Sequence, residues 1–346
     1  MPLVTQYTDV KQAYSDAAAR GIALPAFCAE DRETLEAILA AALEVAQEIG
    51  VADLPVVPAW TGRYPARGQA GLVAACGEPV LGTQLMFSDL EAFTGPHSPY
   101  RNLRVMPHLD HAFPWLDSDL LEDFADQFAS VMHDASTRPL DENMRLTAAY
   151  RERMDGRVLV EGAVAELSES GEVGHGGGGP TTAEQAERFV RETGVDLIVP
   201  DVGTEHRSTG PPAKYLSDRA REISAAVGPI LCLHGTSSVA EADLHLLARD
   251  GIVKINIFTT LAVKGGQAVA RQVLADLDRI LPAAELAALR DAGMLGDAFG
   301  MNGSSKPTLA SVANAPRRDA WFEAVKVRCK EFMLLFGYAK YAAQEG

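Results

Sequence analysis

No stretch of this sequence approaches the roughly 18 consecutive apolar residues of a membrane-spanning helix, which excludes a bilayer-spanning class. Cysteine is scarce. The four present (Cys28, Cys76, Cys232 and Cys329) lie far apart and form no CxxC pair, so they read as reduced thiols of a cytoplasmic protein rather than a disulfide frame. Basic charge is also in short supply, at 31 Lys and Arg against 47 Asp and Glu, a net −16. An acidic surface attracts neither nucleic acid nor an anionic membrane, and both are excluded as partners. The opening Met-Pro-Leu-Val-Thr-Gln-Tyr has no basic segment leading into an apolar one, so no signal peptide is expected. What remains is ordinary globular composition, 47% hydrophobic and 23% charged over 346 residues. That length can bury a large core, either as one α/β barrel with extensions or as two common domains.

In order, the chain alternates strand and helix. Residues 7–20 predict a helix with Thr8 as N-cap and Gly21 as stop, followed by a short apolar strand at Ile22–Cys28. An amphipathic helix over Asp31–Ile49, closed by Gly50, leads to a second buried strand at Pro55–Trp60. Residues 62–100 are irregular, with a helix near Gly68–Cys76 and a segment near Val80–Met86. Strands follow at Leu103–Leu109, Ser130–Asp134, Arg157–Leu167, Val195–Val202, Pro229–Leu233 and Ile252–Ile257. The helices between them are expected at Leu116–Phe128, Asp141–Arg153, Thr182–Thr193, Ser217–Val227 and Val239–Arg249. About eight strands, each followed by a helix, favour a closed (β/α)8 TIM barrel over residues 1–261. Residues 262–346 read as a helical C-terminal extension that packs on the barrel or on a partner subunit.

Chemistry concentrates at the predicted strand ends. Val105-Met-Pro-His-Leu-Asp-His-Ala112 places His108, Asp110 and His111 where a buried strand is expected to stop. An isolated H-x-D-H is most often a pair of hydrogen-bonded loop histidines. Here, however, His206 and His234 occupy comparable positions after later strands. The carboxyl ends of barrel strands converge on one mouth, so His111, His206 and His234 can meet there. Three neutral imidazoles with an open fourth position are the usual ligands of a catalytic zinc, which acts as a Lewis acid on a carbonyl or hydroxyl oxygen. Asp110, beside them, is placed to take or give a proton. The glycine-rich run Gly171–Pro180 matches neither a dinucleotide nor a Walker phosphate loop, and reads as a linker or a lid over the mouth.

Several ordered motifs between about residues 3 and 260 resemble class II (zinc-dependent) fructose-bisphosphate aldolases. His108-Leu-Asp-His111 resembles the family's H-x-D-H, and Ser130-Val-Met-His-Asp-Ala-Ser136 with Glu142-Asn143 resembles S-x-M-x-D-x-S…E-N. Thr193-Gly-Val-Asp196 with Gly203-Thr-Glu-His206, Leu233-His-Gly235 and Lys254-Ile-Asn-Ile257 resemble T-G-V-D…G-T-x-H, L-H-G-G-S-G and K-V-N-V. The resemblance implies a barrel in which His111, His206 and His234 bind Zn2+ and Asp110 handles the proton of the cleaved hydroxyl. It implies that Asp134 and a glutamate line an inner, alternative metal position. Glu166, in a match to E-L-G-x-x-G, is favoured for that glutamate, whereas an ungapped count from Asn143 falls on Ala163 with Glu161 before it. Glu172 is the nearest acid to the family's loop glutamate, about two residues out of register. The last eighty residues resemble the longer-tailed branch, in which a neighbouring subunit's arginine reaches the site; Arg317 or Arg318 is the candidate, and a homodimer or higher oligomer follows.

The departures from the family are informative. Its Gly-Gly-Ser-Gly has become Gly235-Thr-Ser-Ser238, the polar residue two after the Asn has become Phe258, and the usual Asn near the first strand is Cys28. The glycine after the third zinc histidine is Arg207. Side chains at these places obstruct close approach of an oxyanion to the backbone. Gly235, Ser237, Asn256 and Thr259 remain as substrate contacts, with Arg207 as a new anion contact. The expectation is a metal-dependent aldolase performing reversible retro-aldol cleavage of an anionic ketose that is not ordinary fructose 1,6-bisphosphate. The competing classes are a metal-dependent barrel hydrolase, for which no obvious strand-end lysine completes a dimetal site, and a non-catalytic homologue that has lost phosphate recognition.

Overall fold

The computed structural model describes residues 3–65, 68–166, 179–205, 215–296 and 307–344. Nine parallel strands form one sheet: β1 (Leu24–Cys28), β2 (Pro55–Thr61), β3 (Arg104–Val105), β4 (His108–Ala112), β5 (Ser130–His133), β6 (Leu159–Ala163), β7 (Leu197–Val199), β8 (Leu231–Leu233) and β9 (Ile252–Ile257). The order β2-β4-β5-β6-β7-β8-β9-β1 closes through parallel pairing of β1 with β2, at Ala26 opposite Val57, and β3 merely extends β2 at its start. The result is the expected eight-stranded barrel. Every residue of the barrel strands is buried, which is why most of them read as apolar runs instead of alternating ones.

Local chemistry sets the helices that wrap the barrel. Asp31 caps Arg32–Ile49 by accepting from the Thr34 N–H at 2.7 Å, and Gly50 ends it at φ 74°, which a side chain resists. Thr182 and Gln185 form a reciprocal capping box ahead of Ala183–Thr193. The C-terminal segment is helical where described, through Thr259–Ile280, Ala283–Asp291, Leu309–Val312 and Ala315–Leu335. It is stitched to the barrel: Trp321 Nε1 donates to Thr34 Oγ1 at 2.8 Å, and the Tyr338 hydroxyl donates to the Pro55 carbonyl at 3.0 Å.

Several expected elements differ. The strand anticipated at Leu103–Leu109 is broken at Met106 and Pro107, because proline has no N–H for the ladder. Consequently His108, Asp110 and His111 lie inside β4 rather than beyond it. The strand expected to reach Leu167 stops at Ala163. Leu116–Phe128 is a short helix, Ser118–Asp123, and a 3-10 turn, while Val80–Met86 is the core of a longer helix, Pro79–Thr94. Val239–Arg249 is not an α-helix: the 3-10 segment Leu244–Asp250 buries Leu244 and Leu247, a three-residue spacing that suits its tighter turn.

Candidate metal centre and active site

Adjacent residues of a regular strand point to opposite faces, so Asp110 and His111 should not share a site. A register shift between Leu109 and Ala112 removes that constraint, and His111 takes φ 45°, in the left-handed region that non-glycine residues rarely adopt. The bulge re-aims the imidazole beside the Asp110 carboxylate. His234, just past β8, completes a buried group whose ligand atoms all lie within 4.8 Å of one another. His206, Arg207 and Glu172 fall outside the described residues.

Hydrogen bonds determine which ring nitrogens are available. His111 Nδ1 lies 2.7 Å from Asp134 Oδ2, and Asp134 is held in turn by the backbone N–H and hydroxyl of Ser136 at 3.1 and 2.6 Å. His234 Nε2 lies 2.9 Å from Glu161 Oε1. A carboxylate only accepts, so each imidazole places its proton on the nitrogen facing the acid and leaves a lone pair on the other. Those two lone pairs, His111 Nε2 and His234 Nδ1, face each other at 3.1 Å, with Asp110 Oδ1 4.0 Å from the latter. Two acceptors aimed at one point beside a carboxylate suit a shared cation, and the borderline-soft donor set fits a divalent transition ion. Burial pushes His234 below the ordinary imidazole range, although its bond to Glu161 pulls the other way, which keeps the ring in the neutral form a metal requires.

Beneath the cluster lies a charged network that composition could not disclose. Lys254, fully buried on β9, pairs with Glu161 Oε2 at 2.8 Å. Burial opposes both charges, but their mutual attraction wins: Glu161 is held well below the usual carboxylate range, and Lys254 above the usual amine value. Burial, then Lys254, push His108 down to about 3, so it is neutral, with Nδ1 2.8 Å from Ser130 Oγ. For Asp110 burial pushes upward, but the carboxyl is held below its usual range, with the Lys254 ammonium attracting its charge and the Asn256 amide donating to Oδ1 at 2.7 Å. The Cys28 thiol, where the family resemblance leads one to look for Asn, sits 3.3 Å from Asp110 Oδ2.

Above the cluster opens a cavity of about 50 Å³ that Asp110, His111 and His234 share with the expected substrate residues Gly235, Ser237, Asn256 and Thr259. Cys28, Phe258 and Tyr64 line it as well, and the Tyr64 ring stacks on His111 at 4.7 Å. Gly235 has no room for a side chain, since an added Cβ would lie 2.6 Å from the Glu205 carbonyl oxygen. One residue expected from this chain is not gathered here. Glu166 is exposed beyond the end of β6, in a separate cleft with Ser136 and Arg138, because pairing to β7 ends the strand three residues earlier. The acid that does reach the imidazoles from β6 is Glu161. Arg317 is turned to its own chain, donating to the carbonyls of Ser311, Val312 and Ala313. Tyr64, and the roles of Lys254 and Glu161, were missed as site features; for the latter two the available signal was a charged residue inside a largely apolar strand.

A family model for class II fructose-bisphosphate aldolase matches residues 8–339. The chain belongs to that family. Two solved structures share the fold: the fructose-bisphosphate aldolase of Campylobacter jejuni, 20% identical over 95% of this chain and 94% of that one with TM-score 0.71, and the YdjI aldolase of Escherichia coli, 21% identical over 97% of each with TM-score 0.60. At those identities the likeness concerns the fold alone. As a class II aldolase the protein is a metal-dependent carbon–carbon lyase acting on a small molecule, which decides against the barrel hydrolase. Among the described residues no helix is long and apolar enough to cross a membrane.

Proposed function

We propose that this aldolase uses Zn2+, held by His111, His234 and His206, to cleave an anionic ketose other than fructose 1,6-bisphosphate into a dihydroxyacetone-type ketone and an aldehyde. The observation that carries the metal reading is the pair of convergent imidazole lone pairs, each braced from behind by a carboxylate. The ion supplies Lewis acidity toward the ketose carbonyl and its neighbouring hydroxyl. Asp110, ionised and oriented by the Asn256 amide at 2.7 Å, takes the proton of the hydroxyl on the aldehyde half as the carbon–carbon bond breaks. Glu172 returns a proton to the ketone half. Gly235, Ser237 and Thr259 receive the ketone-end anion, Arg207 contacts the other end, and Arg317 of a second subunit completes the site in a cytoplasmic homodimer.

The substrate departure is supported by the cavity lining. Phe258 and Cys28 stand in the same cavity as the imidazoles, and among the described residues no lysine or arginine lines it. The test is aldehyde release by zinc-loaded enzyme from a panel of phosphorylated and non-phosphorylated ketoses. We expect at least one to exceed fructose 1,6-bisphosphate by roughly tenfold or more in kcat/KM, about 1.4 kcal/mol of transition-state binding. Fructose 1,6-bisphosphate proving the best substrate would overturn the substrate reading, and no cleavage of any ketose by zinc-loaded protein would overturn the reaction.

A further inference from the structure

The buried ammonium of Lys254 has three N–H donors and meets three acceptors: Glu161 Oε2 at 2.8 Å, His108 Nε2 at 3.0 Å and Asn256 Oδ1 at 2.5 Å. Two of these bonds lead to the reacting centre by different routes. Through Glu161, the chain runs to His234 Nε2 at 2.9 Å and so decides that His234 offers Nδ1 to the metal. Through Asn256, the bond to the amide oxygen forces the Nδ2 group toward Asp110, where it donates to Oδ1 at 2.7 Å. With a cation on its oxygen, the amide cannot turn over.

We propose that Lys254 is a positioning residue that sets, from one ammonium, both the metal-binding tautomer of His234 and the orientation of the proton-transferring Asp110. It touches neither substrate nor metal. The inference rests on the roles assigned above to His234 and Asp110. Its physical content is that a buried polar network with every member satisfied has one arrangement, whereas removing the central donor leaves several. Without the ammonium, Glu161 loses its charge partner and the Asn256 amide is free to rotate. In Glu161→Gln the defect is narrower. Lys254 keeps the Gln oxygen, the amide N–H then faces His234 Nε2, and the imidazole proton is driven onto Nδ1, the nitrogen the metal needs.

The test measures zinc affinity by competition with a chromogenic chelator, and turnover at saturating zinc with the best ketose of the panel. The proteins are the wild type, Lys254→Met, Glu161→Gln and the double variant. Each single variant is expected to weaken zinc binding by roughly tenfold or more, and the double variant by no more than the weaker single, because both act through one path. At saturating zinc, kcat should stay low in Lys254→Met and recover in Glu161→Gln, since only the former also releases Asn256. A purely structural role would lower melting temperature without producing that split. Unchanged zinc affinity in folded Glu161→Gln, additive losses in the double variant, or full kcat in zinc-saturated Lys254→Met would each overturn the proposal. Should Lys254→Met not fold, the shape-preserving Glu161→Gln decides the zinc path alone. A wild type that neither binds zinc nor cleaves a ketose would defeat the functional reading itself, whereas an active wild type with indifferent variants defeats only this inference.

Discussion

Replacing Asp134 by Asn removes one negative charge and leaves the shape of the side chain intact, yet it should disable the metal centre. Two donors from Ser136, the N–H at 3.1 Å and the hydroxyl at 2.6 Å, converge on Asp134 Oδ1. An Asn must therefore keep its carbonyl oxygen there and turn its NH2 toward His111 Nδ1, which now receives a donor where it faced an acceptor at 2.7 Å. The imidazole resolves the clash by shifting its proton to Nε2, the nitrogen 3.1 Å from His234 Nδ1, and a protonated Nε2 cannot bind a cation. Groups that orient a metal-bound histidine contribute roughly 10- to 100-fold in affinity, or about 1.4–2.7 kcal/mol. Zinc binding to Asp134→Asn, measured by calorimetry or chelator competition near neutral pH, should fall by that range. The thermal unfolding of the metal-free protein should change far less, since Ser136 stays satisfied. Zinc affinity within about twofold of wild type, less than 0.5 kcal/mol, would refute the tautomer reasoning.

Other expectations follow from the same geometry. His111→Ala or His234→Ala should abolish turnover and lose the bound ion, and exhaustive chelation should silence the wild type; full activity after chelation would remove the metal from the mechanism. Asp110→Asn should retain zinc while losing most turnover, read as metal content against rate in one preparation. Glu166→Gln should leave zinc affinity and kcat within about twofold, because the side chain is exposed beyond β6, and a large loss would restore it to the metal site. Two neighbouring glycines should respond oppositely to alanine. At Gly265 a Cβ would lie 2.6 Å from the Trp321 ring, which is tethered to Thr34, so Gly265→Ala should cost about 1–3 kcal/mol. At Gly266 nothing lies within 4 Å, and Gly266→Ala should stabilise by about 0.5–1 kcal/mol, both read from melting curves.

The barrel was legible because its signals are local. Apolar runs such as Leu24–Cys28 and Leu231–Leu233, and caps such as Asp31 and Thr182, depend on residues within a few positions of one another. Strand ends were less so, because hydrogen bonding to neighbours decides where a strand stops. β6 ends at Ala163, where its pairing with β7 ends, and that alone separates Glu166 from the centre and leaves Glu161 in it. The break at Pro107, by contrast, has a local cause, since proline has no N–H for the ladder.

By itself, the order of residues determined a strand–helix alternation of barrel length, the histidines and carboxylate at its mouth, and departures such as Phe258 and Cys28 around them. Only the tertiary structure decided that Asp110 and His111 face the same way, because a bulge belongs to a strand pair and not to one strand. It also decided that Glu161 and Lys254 neutralise each other beneath His234. Two residues 93 positions apart meet only once the register of β6 through β9 is set around the closed barrel, and their charges tolerate burial only because they meet.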